Sequence, residues 1–181
     1  MEAQTRSGTA PESAAGTVRV LMPSPIGVLG VELLGAAVVR VHIEPGEAER
    51  CSFLPLHRLD GSDFLDEVFG RLAEYFAGAR RKLELEVDFG PCGLSGFARR
   101  VLKETAKVPY GRTRTYEGIA EAAGRPGSCR DVLSVLLGNP LPIVVPCHRV
   151  VLAAGEPGEY VGGGQRKRWL LELEGRGLEP R

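Results

Sequence analysis

What most constrains this chain is a break at Gly90-Pro91-Cys92-Gly93, where the period of the apolar residues changes. Upstream, the apolar runs Val18–Met22, Val28–Leu34 and Val38–Ile43 are divided by a Pro23-Ser24-Pro25 turn with Gly27 and by Gly35, the pattern of a small antiparallel sheet. Residues 44–61 are polar, with Pro45, Gly46 and Pro55, and read as loop. Leu65, Val68, Phe69, Leu72, Ala73 and Phe76 recur at helical spacing between Ser62 and Gly78, a start and a stop, so one amphipathic helix packs on the sheet. Lys82–Asp88 alternates Leu83, Leu85 and Val87 with charges, as a half-buried edge strand does.

Downstream the pattern is helical. Leu94, Phe97, Ala98, Val101, Leu102, Thr105 and Ala106 form one apolar stripe, and the other face carries Arg99, Arg100, Lys103 and Lys107. A short helix over Tyr116–Ala123 can be capped by Thr115. Gly124-Arg125-Pro126-Gly127 makes a tight turn, and Ser128 with Asp131 resembles a capping box opening a helix to about Leu137. Two short helices across a glycine turn outline a helix-turn-helix. The expected fold is α+β: residues 1–16 a flexible tail, 17–92 a small N-terminal antiparallel sheet with a helix, and 93–178 a mainly helical C-terminal domain containing the helix-turn-helix.

The 23 basic and 23 acidic residues cancel, which at first argues against a nucleic-acid or anionic-membrane partner held by bulk charge. The cancellation is between halves: residues 94–181 hold 14 basic and 9 acidic residues, and residues 1–93 hold the reverse. Between Arg99 and Arg130 eight basic residues face only Glu104, Glu117 and Glu121. Such a face suits phosphate contacts, although a solvated helix surface also explains it.

Hydrophobic residues at 43% and charged residues at 25% exclude disorder, coiled coil and collagen. No stretch approaches the roughly 18 to 20 apolar residues of a membrane helix, so no membrane partner is expected. The small polar residues of Met1–Gly16 are no secretory signal, and a cytosolic protein with free thiols follows. Cys51, Cys92, Cys129 and Cys147 lie far apart without a Cys-x-x-Cys, which suggests neither a zinc module nor a disulfide framework. A single Cys51–Cys92 bridge stays open.

The most informative stretch is Asn139-Pro140-Leu141-Pro142-Ile143-Val144-Val145-Pro146-Cys147-His148-Arg149-Val150-Val151. Prolines stiffen an extended approach to a cysteine followed by two basic residues that favour thiolate. In an extended chain neighbouring side chains point to opposite faces, so Cys147 and His148 would communicate through a water rather than directly.

Pro146-Cys147-His148-Arg149-Val150 in that frame resembles the active-site signature of the O6-alkylguanine-DNA alkyltransferases, the methylated-DNA–protein-cysteine methyltransferase family. Val108-Pro109-Tyr110-Gly111, Thr115-Tyr116, Arg130, Gly138-Asn139-Pro140, Tyr160 with Gly162-Gly163, Lys167, Trp169-Leu170-Leu171 and Glu174-Gly175 follow the family's order and spacing. The likeness is close over about residues 94–175, and upstream it extends only to the family's usual variable α+β domain.

The resemblance implies direct repair without a cofactor: O6-alkylguanine is flipped out of double-stranded DNA and its alkyl group moves, once per molecule, to the cysteine. It makes Cys147 the nucleophile, His148 its base through a water, Glu174 the residue that orients the imidazole, and Asn139 a brace. Tyr116 would bind the flipped base and give a proton to departing guanine. Arg130 would fill the vacated stack, and Ser128, Thr115 and Arg125 would contact DNA. Val150, Tyr160, Val161 and Pro142 would wall the substrate pocket. The zinc site of some members finds no matching Cys and His set here, so no metal is expected, and His42 and His57 read as surface or loop residues. A monomer is implied, cytoplasmic, at the nucleoid of a prokaryote or in the nucleus of a eukaryote.

Two other classes compete. A non-catalytic lesion-binding module would lack the cysteine, and a Cys147–His148 hydrolase would need turnover and an oxyanion-hole loop. The chain also departs from the family in Arg130-Asp131-Val132-Leu133-Ser134, where small residues are usual, and at Leu137, often basic. An acid and bulk there work against DNA docking, and Arg166-Lys167-Arg168 is the expected compensation.

Overall fold

In the computed structural model of the chain, residues 16–55 and 63–175 are described. Strands β1 (Thr17–Ser24), β2 (Gly27–Leu34) and β3 (Ala37–Ile43) form the expected antiparallel meander. Alternation places Val20, Leu29, Val31 and Val38 in the core. The segment read as loop instead contains a one-turn helix, α1 (Glu47–Arg50), and a two-residue strand, β4 (Leu54–Pro55), parallel to β1. The sheet order is therefore β3-β2-β1-β4. Composition hid this because a strand so short has no period to read.

Helix α2 (Asp63–Phe76) packs Val68, Phe69, Leu72 and Tyr75 against the sheet and ends where Gly78 takes φ +74°. Its proposed start at Ser62 lies outside the described residues, as do residues 1–15, 176–178 and His57. Lys82–Asp88 keeps the expected alternation but is no strand: Val38 donates to Glu86 O at 2.9 Å and accepts from Asp88 N at 3.2 Å, a single bridge to β3. Left-handed Glu84 (φ +52°) and the side chain of Arg71, which binds the carbonyls of Leu83 and Glu84, pull the chain off the ladder. His42, expected at the surface or in a loop, sits half-buried on β3 and bonds Glu32 at 2.9 Å.

The Gly90–Cys92 break is a 3-10 turn that leads into α3 (Gly96–Ala106), capped by Ser95. A two-residue strand, β5 (Arg114–Thr115), precedes α4 (Tyr116–Ala122), where Thr115 Oγ1 accepts from Gly118 N at 3.0 Å as the cap requires. Gly124 and Gly127, at φ +77° and +78°, reverse the chain into α5 (Cys129–Leu137). The capping box does not form: Ser128 makes no side-chain cap, because Asp131 is drawn instead to Arg125 at 2.8 Å. Strand β6 (Val150–Val151) pairs parallel with β5, and α6 (Gly164–Gly175) closes the fold. All four cysteines are free, which removes the Cys51–Cys92 bridge; Cys92 Sγ donates to Val39 O at 3.4 Å.

One continuous core runs from the sheet through α2 and α3 to Leu141, Val145, Cys147 and Leu170. Val41 N donates to Pro140 O at 2.8 Å, tying β3 to the proline-rich run. A Cβ on Gly162 would come within 2.9 Å of both Ile43 and Tyr160, so only glycine lets the Tyr160 loop approach β3 this closely.

Candidate active site

Pro146 introduces a 3-10 turn, Cys147–Arg149, and not the extended chain expected, so Cys147, His148 and Arg149 are directed by the turn and all are buried. Ile143 reaches it through a left-handed backbone (φ +76°), costly for a β-branched side chain and held by its own burial. Asn139 bonds across the turn. Its Nδ2 donates to Val145 O and to Cys147 Sγ, both at 3.1 Å, and its Oδ1 accepts from Leu141 N at 3.0 Å. Burial pushes the Cys147 thiol up to about 11, against the opposing pull of the Asn139 amide and the Lys167 charge. At neutral pH it is a thiol and needs a base.

His148, fully buried, sets Nε2 3.0 Å from Glu174 Oε1, and among the described residues its Nδ1 has no partner. The carboxylate fixes the proton on Nε2 and leaves the Nδ1 lone pair free. Burial lowers the His148 pKa despite Glu174, so the imidazole rests neutral. Burial would raise the Glu174 carboxyl, but hydrogen bonds from His148 and Arg149 and the Arg149 charge hold it at about 2.

Glu174 Oε1 also accepts from Tyr75 OH at 2.7 Å and Arg149 Nη2 at 2.8 Å, while Oε2 accepts from Arg149 Nε at 2.9 Å and Gly111 N at 3.1 Å. Arg149 Nη1 adds Val108 O at 2.6 Å. Tyr75 escaped the sequence reading because nothing local to α2 shows that its hydroxyl reaches a carboxylate 99 residues away.

Tyr116 is buried at the start of α4, its hydroxyl 3.3 Å from Glu159 O, and burial with the nearby Cys147 pushes it up to about 12. Lys167 was matched only as part of a motif, yet its fully buried ammonium donates to Val150 O at 2.6 Å, Glu159 O at 3.0 Å and Tyr116 OH at 3.4 Å. Burial lowers it to about 8. The sequence held no separate signal for it, since a lysine between Arg166 and Arg168 reads as exposed and its burial shows only in the fold.

Val150 is buried at the end of the turn, and Tyr160 stands edge-on to His148 at 6.3 Å, its hydroxyl without a partner among the described residues. Pro142 and the partly exposed Val161 share a separate cavity of about 300 Å³ with Asn139 and the β3 residues Arg40 and His42. On the helix-turn-helix, Arg130 is exposed on the first turn of α5 and Ser128 is half-buried. Arg125 lies over the Phe97 ring at 4.4 Å and is paired with Asp131. The expected compensation from Arg166-Lys167-Arg168 is not there: Arg166 binds Ile26 O and Gly162 O, Lys167 is internal, and only Arg168 is exposed.

The fold and the site thus define a helix-turn-helix protein with a buried thiol beside a carboxylate-held imidazole. A family model described as 6-O-methylguanine DNA methyltransferase, DNA binding domain, matches residues 96–176. The methylated-DNA–protein-cysteine methyltransferase of Mycobacterium leprae is 39% identical over 155 residues, covering 84% of this chain and 89% of the relative. The Mycobacterium tuberculosis O6-methylguanine methyltransferase superposes with a TM-score of 0.76 at 33% identity, covering 91% of this chain and 96% of that one. The same organism's OGT in complex with DNA gives 0.75 at 36%, covering 87% and 92%. The chain belongs to the methylated-DNA–protein-cysteine methyltransferase family.

Proposed function

We propose that Cys147 accepts the alkyl group in direct, single-turnover repair of O6-alkylguanine in double-stranded DNA. The observation that carries this reading is the buried Cys147 thiol, held by Asn139, in the same turn as an imidazole whose Nε2 is engaged by Glu174 and whose Nδ1 is unpaired. His148 Nδ1 takes the thiol proton through an intervening water. The sulfur–carbon bond forms as the carbon–O6 bond breaks, and the electron pair leaves with guanine. Tyr116 supplies the proton that lets guanine depart neutral, and the Lys167 ammonium stabilises the phenolate that remains. A thioether has no easy hydrolytic exit, so one molecule repairs one lesion.

Arg130, exposed at the head of α5, fills the stack left by the flipped base, and Ser128, Thr115 and Arg125 flank the duplex. Val150 and Tyr160 wall the base and alkyl pocket, and the Tyr160 hydroxyl, without a partner among the described residues, offers it a polar contact. Residues 93–178 carry the chemistry, and 17–92 form a unit that buttresses it through Tyr75. The protein works where chromosomal DNA is, in the cytoplasm at a prokaryotic nucleoid or in a eukaryotic nucleus.

The test is intact mass after mixing with a duplex containing one O6-methylguanine. The protein gains a single methyl group on Cys147, and Cys147→Ala gains none; methylation of the alanine variant would overturn the assignment. His148→Ala slows transfer by about 10² to 10⁴.

A further inference from the structure

Helix α3 carries its cations on two stripes. Arg100 donates to Ala123 O at 2.9 Å and so belongs with the helix-turn-helix. Arg99 and Lys103, one turn apart on the neighbouring stripe, instead line a groove of about 970 Å³ together with Arg81, Lys82 and Lys107, whose ammonium is paired with Glu104 at 2.5 Å. Among the described residues Glu84 is the one acidic side chain lining it. The groove has an apolar floor in which Leu83, Phe89, Tyr110 and Val144 are partly exposed, over the buried Leu102 and Ile143.

The wall facing α3 is an unfinished sheet edge. Glu86 O and Asp88 N are spent on Val38. Backbone groups alternate in direction along an extended chain, so those of Leu85 and Val87 point away from β3, and among the described residues neither amide has a partner. Both residues line the groove. An open edge of this kind is a template for strand addition.

We infer that this groove binds an extended acidic peptide of a partner protein. The peptide pairs with the backbone of Leu85 and Val87, lays alternate apolar side chains on the floor, and turns its carboxylates to Arg99 and Lys103. Phosphates of a duplex would use the cations but have no need of an apolar floor or an unpaired strand edge.

The probe is a short, end-capped, fluorescein-labelled peptide alternating Glu with Leu, titrated into the full chain. It binds saturably in the range of about 10 to 100 µM, and an otherwise identical Lys–Leu peptide does not bind. Lys103→Glu weakens binding roughly tenfold. Ala106→Trp, at an exposed position on the rim, fills the groove and blocks it. Thermal melting and methyl uptake from O6-methylguanine duplex report separately that each variant is folded. Absence of saturation, equal binding of the Lys–Leu peptide, indifference to both substitutions, or displacement of the peptide by undamaged duplex DNA would each overturn the inference, the last by assigning the stripe to nucleic acid.

Discussion

Burial holds the Cys147 thiol protonated at neutral pH while the same burial keeps His148 neutral and able to take the proton. Because the His148 pKa lies below its ordinary value, the neutral base persists through neutrality. The single-turnover rate is therefore flat around pH 7 and falls only in acid below about 6.5; stopped-flow transfer against pH checks this. Stability follows the same sign. An unfolded His148 protonates as pH drops through its ordinary value while the folded one resists, so stability begins to fall there. Glu174, at about 2 in the fold against 4.5 unfolded, adds on the order of 3 kcal/mol above pH 4.5 that is lost between 4.5 and 2. Thermal melting across this range should show the two-stage loss, and Glu174→Gln should remove the second stage and cost about 3–5 kcal/mol by stranding Arg149. Cys147 and His148 drew notice as neighbours at the end of a stiff run, and the family resemblance supplied their roles and that of Asn139. Tyr75 and Lys167 were not legible, since burial against a distant partner leaves no local pattern.

Among the elements, α5 shows how a departure from the family is absorbed. Asp131 does not sit bare at the helix start; it neutralises Arg125, which stacks on Phe97. The pair is a cost to DNA docking, since it occupies one cation and adds one anion beside Arg130. Asp131→Asn should tighten binding to alkylated duplex about three- to tenfold and steepen the salt dependence by roughly one phosphate contact, measured by anisotropy over a salt series. Unchanged affinity would mean that this turn stays off the duplex. The Thr115 cap is a separate matter of stability: Thr115→Val should cost about 1 kcal/mol in denaturant unfolding. Turn residues announced the helix-turn-helix, whereas β4 and the 82–88 segment owe their form to single pairings with β1 and β3, which no window of sequence contains.

At the scale of the molecule, the charge balance divides the chain into an acidic and a basic half, and the acidic half reaches the candidate site. Through Tyr75 it donates to the carboxylate that orients His148. Tyr75→Phe should leave the fold intact, reduce stability by about 1 kcal/mol and slow alkyl transfer without weakening duplex binding; loss of binding with transfer unchanged would contradict that division. Binding itself should weaken as salt rises, through a modest number of phosphate contacts.

The donors to Glu174 come from Tyr75, Gly111, His148 and Arg149, and every one of them precedes it in the chain. Synthesis runs from the N-terminus, so the ribosome delivers the acceptor last. Until α6 emerges and docks, the imidazole lacks the anion that fixes its tautomer, and Arg149 lacks its counterion. In a nascent chain the Cys147 turn consequently stands beside an imidazole without its carboxylate, and the arrangement is completed only as α6 docks, the closing step of folding.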